Sequence, residues 1–543
     1  MTHRGPKTGG GSTDIRDATF GVLRRLGLTR IFGNPGTTEI PLLLGRPDDF
    51  EFVMGMHEGA VVSMATGYAL ASGHAQLVNL HTTPGLGNAA NALANARDLH
   101  VPLVVLVGQQ DRRQLELAPF LSGRALERML GEYPVWSKLP VRPQDVPGAV
   151  ARAYHEAVAG GGPALVVVPM GDWREPVDPA ASLGPAAVVR PASVDPAQLD
   201  PLVELLTTAR SPAIVTGPGA DTAAAWTAKV ELAERLGAPV WHEPFAGRAG
   251  FPEDHALFAG HLDWHRGAIR QTLAEYDLVV VIGGKAFQLY IPDDYEPVVG
   301  PTTRVVVISE HAEDAHRSHC ELAVVAPVAA VCAAVARALP ALARPTTAAP
   351  MTRPAPLAPP PADAPLSASQ VVAFVAERWP ADGVLVEESP SSRPELLRRI
   401  PARAPLGWLG VANGGLGFGL GGAVGVRMAL PERPVLAFVG DGSAMFGIQA
   451  LWSAVRYGVG VVYVVINNGR YGVMDAQASW QNETPPWPRF PGLNFTSIAR
   501  GMGCPALRVE THGQLTEALG PALAGLAGRS EPLLIEAVVA AEE

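Results

Sequence analysis

Residues 435–472 read VLAFVGDGSAMFGIQALWSAVRYGVGVVYVVINNGRYG. Two apolar runs flank a helical pattern, and each run ends in polar punctuation, Gly440-Asp441-Gly442 after the first and Asn467-Asn468 after the second. The pattern predicts a strand over 435–439, a helix over 447–457 and a second strand over 461–466. A right-handed crossover between parallel strands puts both strand ends on one edge of the sheet, so Asp441 and Asn468 converge there. In open α/β sheets that carboxyl edge is where ligands sit. One carboxylate and one amide carbonyl, with glycines that let backbone carbonyls approach, form an all-oxygen set suited to Mg²⁺ or Ca²⁺ rather than zinc. The helix start after Asp441 offers N–H donors to an anion, with the Ser443 hydroxyl beside them. Either half alone is an ordinary turn. Together, at this spacing, they predict a site for a metal-bridged diphosphate.

The same alternation of apolar run, Gly-rich turn and helical pattern fills the rest of the chain. The runs are RIFG, QLVNLH, PLVVLVG and PALVVVPM; then PAIVTG, APVW, DLVVVIGG and RVVVIS; then GVLVEE, PVLAFVG, GVVYVVIN and PLLIEAVV. Runs apolar on both faces suit strands covered by helices on both sides, which predicts an α/β protein of three doubly wound parallel-sheet domains. A chain of 543 residues is too long for one core. The Pro/Ala-rich stretch 339–367 cannot keep a sheet and reads as a linker, and prolines accumulate again over 177–196. The expected organisation is a disordered segment 1–12, domains at 13–180 and 190–340, a linker at 341–367 and a last domain at 368–543.

Composition narrows the function. A net charge of −10 and pI near 5.8, without Lys/Arg runs, leave no footprint for nucleic acid. A charged fraction of only 17% against 48% apolar residues predicts surface that is buried between domains or covered by other subunits, and favours an oligomer. Cys320, Cys332 and Cys504 have no zinc or disulfide spacing, which fits a reduced cytoplasm. No signal-peptide core is visible, and no run reaches the roughly 18 apolar residues of a membrane span.

The GDG-to-NN pattern resembles the thiamine diphosphate motif. From Ile15 to the C-terminus the chain resembles the thiamine diphosphate-dependent 2-oxo acid decarboxylase family, closest to its benzoylformate decarboxylase branch, through IFGNPGTTEIPLL, NLHTTPGLGNAANAL, LAERLGAPVW, NGGLGFGLGGAVGV and GDGSAMFGIQALW. The resemblance implies a pyrimidine-binding domain, a middle domain and a diphosphate-binding domain. It implies that Asp441, Asn468 and the main-chain oxygen of Arg470 hold Mg²⁺ or Ca²⁺. Ser391, Gly442, Ser443 and Tyr471 would surround the diphosphate, Leu416 would bend the cofactor, and the Gly414 carbonyl would meet its 4′-amino group.

Glu58, in MHEGAVVSMATGYALA, reads by itself as an acid complementing a helix N-terminus; the resemblance makes it the acid bonded to N1′ of the aminopyrimidine. His81, by default a structural histidine at a strand end, becomes a proton carrier, and Thr37 a ligand of the substrate carboxylate. Tyr290 stands where the branch has a second active-site histidine. A phenol titrates near about 10 against about 6.5 for imidazole, so this change gives weight to C–C bond formation. The loop YGVMDAQASWQNETPPWP also departs from what an aryl pocket leads one to expect.

The implied activity is non-oxidative decarboxylation of a benzoylformate-like 2-oxo acid to an aldehyde and CO₂. It would occur in a homodimer or homotetramer whose sites lie between subunits, Glu58 of one chain facing Asp441 of the other. The alternative is a carboligase or lyase resembling benzaldehyde lyase or acetolactate synthase. The latter often carries FAD, for which VTGPGAD offers a phosphate-friendly turn. Gly417, Gly419 and Gly422 satisfy a dinucleotide spacing, but no strand leads into them and no acid follows about 20 residues on. His261 with His265, and His311, His316 and His319, have metal-like spacing yet no matching acids or cysteines, and are expected at the surface.

Overall fold

The computed structural model describes residues 13–178, 186–290, 294–340 and 348–540. Residues 1–12, expected to be disordered, and 341–347 of the expected linker lie outside the described residues.

Three six-stranded sheets follow one another, with every strand pair parallel. The first holds β1 (Arg30–Gly33), β2 (Glu51–Met54), β3 (Gln76–Leu80), β4 (Leu103–Gln109), β5 (Trp136–Lys138) and β6 (Pro163–Pro169) in the order β2-β1-β3-β4-β6-β5. The second holds β7 (Pro212–Thr216), β8 (Val240–His242), β9 (Phe258–His261), β10 (Leu278–Ile282), β11 (Arg304–Ser309) and β12 (Leu322–Val325) in the order β12-β11-β10-β7-β8-β9. The third holds β13 (Val384–Glu388), β14 (Trp408–Gly410), β15 (Val435–Gly440), β16 (Val462–Asn467), β17 (Ala506–Val509) and β18 (Leu533–Val538) in the order β14-β13-β15-β16-β18-β17. The first and third sheets therefore share one topology. The middle sheet has the winding of a dinucleotide-binding fold. The expected architecture of three doubly wound α/β units is what the chain forms.

The first and third units share one apolar core. Its centre is the crossing of helix Glu58–Ser72 with helix Gly419–Ala429, both small and apolar nearly all round. A Cβ on Gly67 would stand 2.1 Å from the Gly422 carbonyl oxygen, and one on Gly425 would stand 1.9 Å from that of Met64. Each helical glycine costs about 1 kcal/mol relative to alanine; here backbone contact between the two helices compensates. Tyr457 adds a polar tie, its hydroxyl accepting from Met54 N–H at 2.7 Å.

Residues 348–361 contain no helix or strand. Met351 N–H donates to the Phe258 carbonyl, and Arg353 reaches Glu253 of the middle unit and the carbonyls of Leu397 and Arg398 in the third. No helix among the described residues is long and apolar enough to cross a membrane. The three cysteines are unpaired.

Candidate active site

β15 and β16 are neighbours, with Gly440 in register with Ile466, so Asp441 and Asn468 emerge side by side. Both Asp441 oxygens are engaged by the backbone: Oδ1 accepts from Gly442 N–H at 2.6 Å, and Oδ2 from Asn468 N–H at 2.9 Å and Gly469 N–H at 2.7 Å. Asn468 Oδ1 accepts from Arg470 N–H at 3.1 Å. Gly469, at φ 65°, makes the turn that brings those amides round. Burial pushes the Asp441 carboxyl up, and the three backbone bonds pull it back. No ion pair satisfies it among the described residues, so it is a buried carboxylate that a cation would stabilise.

A cleft of about 550 Å³ opens over these groups. Asp441, Gly442, Ser443, Asn468, Arg470 and Tyr471 line it, together with Ser391 and Leu416. A Cβ on Gly442 would lie 2.5 Å from the Tyr471 ring, so only glycine lets that ring close over the strand tip. The helix expected over 447–457 starts only at Ala450 and runs to Arg456, and a separate turn of helix, Asp441–Ala444, precedes it. The cause is local: a Cβ on Gly447 would stand 2.8 Å from the Gly417 carbonyl oxygen, where the loop carrying Leu416 packs against it.

That loop is fastened by a residue the sequence reading passed over. Glu388, at the tip of β13, accepts from Gly417 N–H at 2.6 Å and also from Gly419 N–H. It is buried, and burial pushes its carboxyl up to about 8. Its only sequence signal is an acid pair at the end of an apolar strand. The dinucleotide-like glycines thus serve this loop and the helix crossing. Gly414, at φ 76°, lies in the same loop but outside the cleft lining, and Leu416 also accepts from Asn91 Nδ2 at 2.8 Å.

Glu58, His81 and Thr37 form a second group at the carboxyl edge of the first sheet, and none of them lines the cleft. Glu58 opens helix Glu58–Ser72 and is buried. Its two oxygens accept from Asn34 Nδ2 at 3.1 Å and Asn88 Nδ2 at 3.0 Å. His81 follows β3, and its Nδ1 lies 2.9 Å from Thr38 Oγ1 and 3.0 Å from Glu39 Oε2. Gly36 N–H donates to the same Glu39 oxygen, and a Cβ on Gly36 would stand 2.3 Å from the His81 ring. Burial pushes the Glu39 carboxyl up, against its bonds to Thr38 and Gly36 and the facing histidine. Thr37 is exposed in the turn Thr37–Glu39. Thr38 and Glu39 hold His81, and nothing in the TTE run marked them for that part.

Tyr290 is 59% exposed, 5.6 Å from the Phe245 ring, and its hydroxyl accepts from Gln477 Nε2 at 3.4 Å. The VTGPGAD turn is not a free phosphate cradle. Gly217 and Gly219 donate their N–H groups to the carbonyls of Ile282 and Gly283, and the adjoining cavity is about 50 Å³. Two surface expectations fail as well. His261 is in β9 beside Glu253, and His311 is stacked 4.0 Å from His100 with its imidazole driven down to about 3 by burial. His316 and His319 are exposed, as expected.

Comparison with known proteins agrees with this geometry. Three family profiles match in succession: the thiamine pyrophosphate enzyme N-terminal TPP binding domain over 13–129, its central domain over 199–335 and its C-terminal TPP binding domain over 394–537. The chain is 38% identical to benzoylformate decarboxylase of Pseudomonas aeruginosa, over 96% of this chain and 98% of that one. It superposes with TM-score 0.91 and 35% identity on the thiamine diphosphate-dependent 4-hydroxybenzoylformate decarboxylase of Rhodococcus jostii RHA1, covering 98% of this chain and 100% of the other. Benzoylformate decarboxylase from Polynucleobacter necessarius gives 0.90 at 30% identity, covering 97% and 99%. The chain belongs to the thiamine pyrophosphate enzyme family, in the branch of the benzoylformate decarboxylases.

Proposed function

We propose that this protein is a thiamine diphosphate-dependent decarboxylase of 2-oxo acids of the benzoylformate class, releasing an aldehyde and CO₂ with Mg²⁺ as the metal. The observation that carries this reading is the all-oxygen set of Asp441, Asn468 and the Arg470 main chain beneath a cleft large enough for a diphosphate. Hard oxygen donors with room left for phosphate oxygens fit Mg²⁺ or Ca²⁺. Ser391, Gly442, Ser443 and Tyr471 would surround the diphosphate, and Leu416, braced by Glu388 through Gly417, would shape the cofactor, with Gly414 beside it.

When bound, the cofactor supplies a thiazolium electron sink for loss of CO₂. The chain's own residues position and move protons. Glu58, held by Asn34 and Asn88, would present its carboxyl to the aminopyrimidine. His81, held at Nδ1 by Glu39 and Thr38, leaves Nε2 for proton transfer near the substrate. Thr37 and Tyr290 would contact substrate or product. Benzoylformate-type substrates are favoured by the names of the relatives and by aromatic side chains around Tyr290: Phe245 stands 6.2 Å from Trp264, and Trp480, in the loop that departed from the aryl expectation, stands 6.2 Å from His265. The decarboxylase relatives also favour this reading over a carboligase.

A site between two subunits is supported by the separation of the Glu58 group from the Asp441 cleft. Large apolar side chains exposed at the cleft, Phe446, and in the segment after β4, Leu117 and Phe120, support it as well. A homodimer or homotetramer follows, and the unpaired cysteines fit a reducing cytoplasm.

The test is CO₂ release from benzoylformate, 4-hydroxybenzoylformate, pyruvate and branched 2-oxo acids, with thiamine diphosphate and Mg²⁺, with and without an aldehyde acceptor. Aryl substrates should lead. Absence of Mg²⁺-assisted cofactor uptake by calorimetry, or uptake undiminished in Asp441→Asn, would refute the reading.

A further inference from the structure

β8 and β9 lie at one edge of the middle sheet, and His242 and His261 are register partners in this parallel pair. Partners in register project from the same face. A register shift at Val240/Trp241, with Gly260 at φ 134°, sets the angle at which the two strand ends meet. Glu253, from the segment joining these strands, stands between the imidazoles. Its Oε1 is 3.3 Å from His242 Nδ1 and 3.2 Å from His261 Nε2, and the rings meet edge to face at 82°. His242 is 3% and Glu253 4% exposed, and the three ligand atoms lie within 4.8 Å of one another.

Those separations are long for charge-assisted hydrogen bonds, which run about 2.7–2.9 Å. They match the edge of a tetrahedron around an ion bonded at about 2.0–2.1 Å, roughly 3.3 Å. The second carboxylate oxygen is held from behind by Ala402 N–H at 3.1 Å and Arg353 Nη2 at 3.3 Å, which fixes the direction of the first.

We propose that His242, Glu253 and His261 bind a divalent transition-metal ion of the Zn²⁺ class, separate from the diphosphate site. Two imidazoles and a carboxylate suit Zn²⁺ over Mg²⁺ and leave a fourth position for water. Glu253 N–H also donates to the Ala402 carbonyl at 2.9 Å, and the Glu253 carbonyl accepts from Arg353 Nη2 at 3.2 Å, so the ion sits where the middle unit, the Pro-rich stretch and the third unit meet. Its role is to fasten them.

The test uses the full-length holoenzyme with thiamine diphosphate and Mg²⁺, loaded with Zn²⁺, dialysed into Mg²⁺ buffer and assayed for metal by mass spectrometry. About one Zn²⁺ per chain should remain, in Asp441→Asn as in the wild type, with at least tenfold weaker retention in His261→Gln. Co²⁺ in the wild type should give the intense visible bands of a four- or five-coordinate nitrogen-containing site. The proposal falls if zinc is substoichiometric in the wild type, if retention is equal in His261→Gln, or if only Asp441→Asn loses it. Should His261→Gln not fold, a weak octahedral Co²⁺ spectrum in the wild type overturns the proposal by itself.

Discussion

Glu39 Oε2 and His81 Nδ1 lie 3.0 Å apart, and the same oxygen takes the Gly36 N–H at 2.8 Å. A carboxylate on Nδ1 fixes which ring nitrogen carries the proton and steadies the imidazolium when the other nitrogen picks one up. Glu39 is therefore a positioning residue for His81. Glu39→Gln keeps the size and an acceptor but removes the charge. It should lower kcat by about tenfold or more with little change in KM, and Glu39→Asp, which keeps the charge, should recover part of that loss. His81→Ala should cost about 10²–10⁴-fold, in the range of lost general acid–base catalysis. A wild-type kcat in Glu39→Gln, or equal losses in Glu39→Gln and Glu39→Asp, would show that the pair only packs.

Glu58 and Asp441 lie in two separate groups, which predicts complementation between chains. Glu58→Gln and Asp441→Asn should each be nearly inactive alone. In a mixed dimer one site would carry both substitutions and its twin neither, so unfolding and refolding an equal mixture should restore about a quarter of wild-type turnover. If each site used a single chain, the mixture would stay as inactive as its components.

Lys229 is fully buried on helix Ala223–Leu236, its Nζ has no hydrogen-bond partner among the described residues, and burial lowers its ammonium from 10.5 to about 7. The folded value lies below the unfolded one, so between about 7 and 10.5 the unfolded chain binds a proton that the folded chain does not. Stability must then rise with pH across that window, and below pH 7 the penalty is complete. Thermal melts from pH 6 to 10 should show this rise in the wild type. Lys229→Met, of similar volume, should flatten it and raise the melting temperature at pH 7 by several degrees. Parallel curves for the two proteins would mean that Lys229 finds a partner.

The sequence runs correspond to β1, β3, β4 and β6, then β7, β8, β10 and β11, then β13, β15, β16 and β18. These are the four inner strands of each sheet, and the strands passed over are the edge pairs β2/β5, β9/β12 and β14/β17. Inner strands are covered on both faces and become unbroken apolar runs. Edge strands such as EFVM, WSK and LAVV are three or four residues long and partly exposed, so their pattern resembles loop. The site divides the same way. Asp441 and Asn468 stand out because a strand tip and a turn repeat at a fixed spacing. Glu388, Glu39 and His242 act through partners distant in sequence, and no local pattern marks them.

Tyr290 bears on the product. Its hydroxyl accepts from Gln477 of helix Gly472–Trp480, which follows the cleft-lining turn, and the function proposed above sets this phenol beside the substrate in place of an imidazole. At neutral pH a phenol releases its proton far less readily than an imidazolium, near about 10 against about 6.5. After loss of CO₂, slower delivery of a proton leaves more time for attack on an added aldehyde. Tyr290→His should therefore raise the ratio of free aldehyde to C–C product from the same 2-oxo acid and acceptor, and add a limb near about pH 6.5 to the partition ratio. Tyr290→Phe should move the ratio the other way. A ratio indifferent to both substitutions would place the proton donor elsewhere, with His81 the next residue to vary.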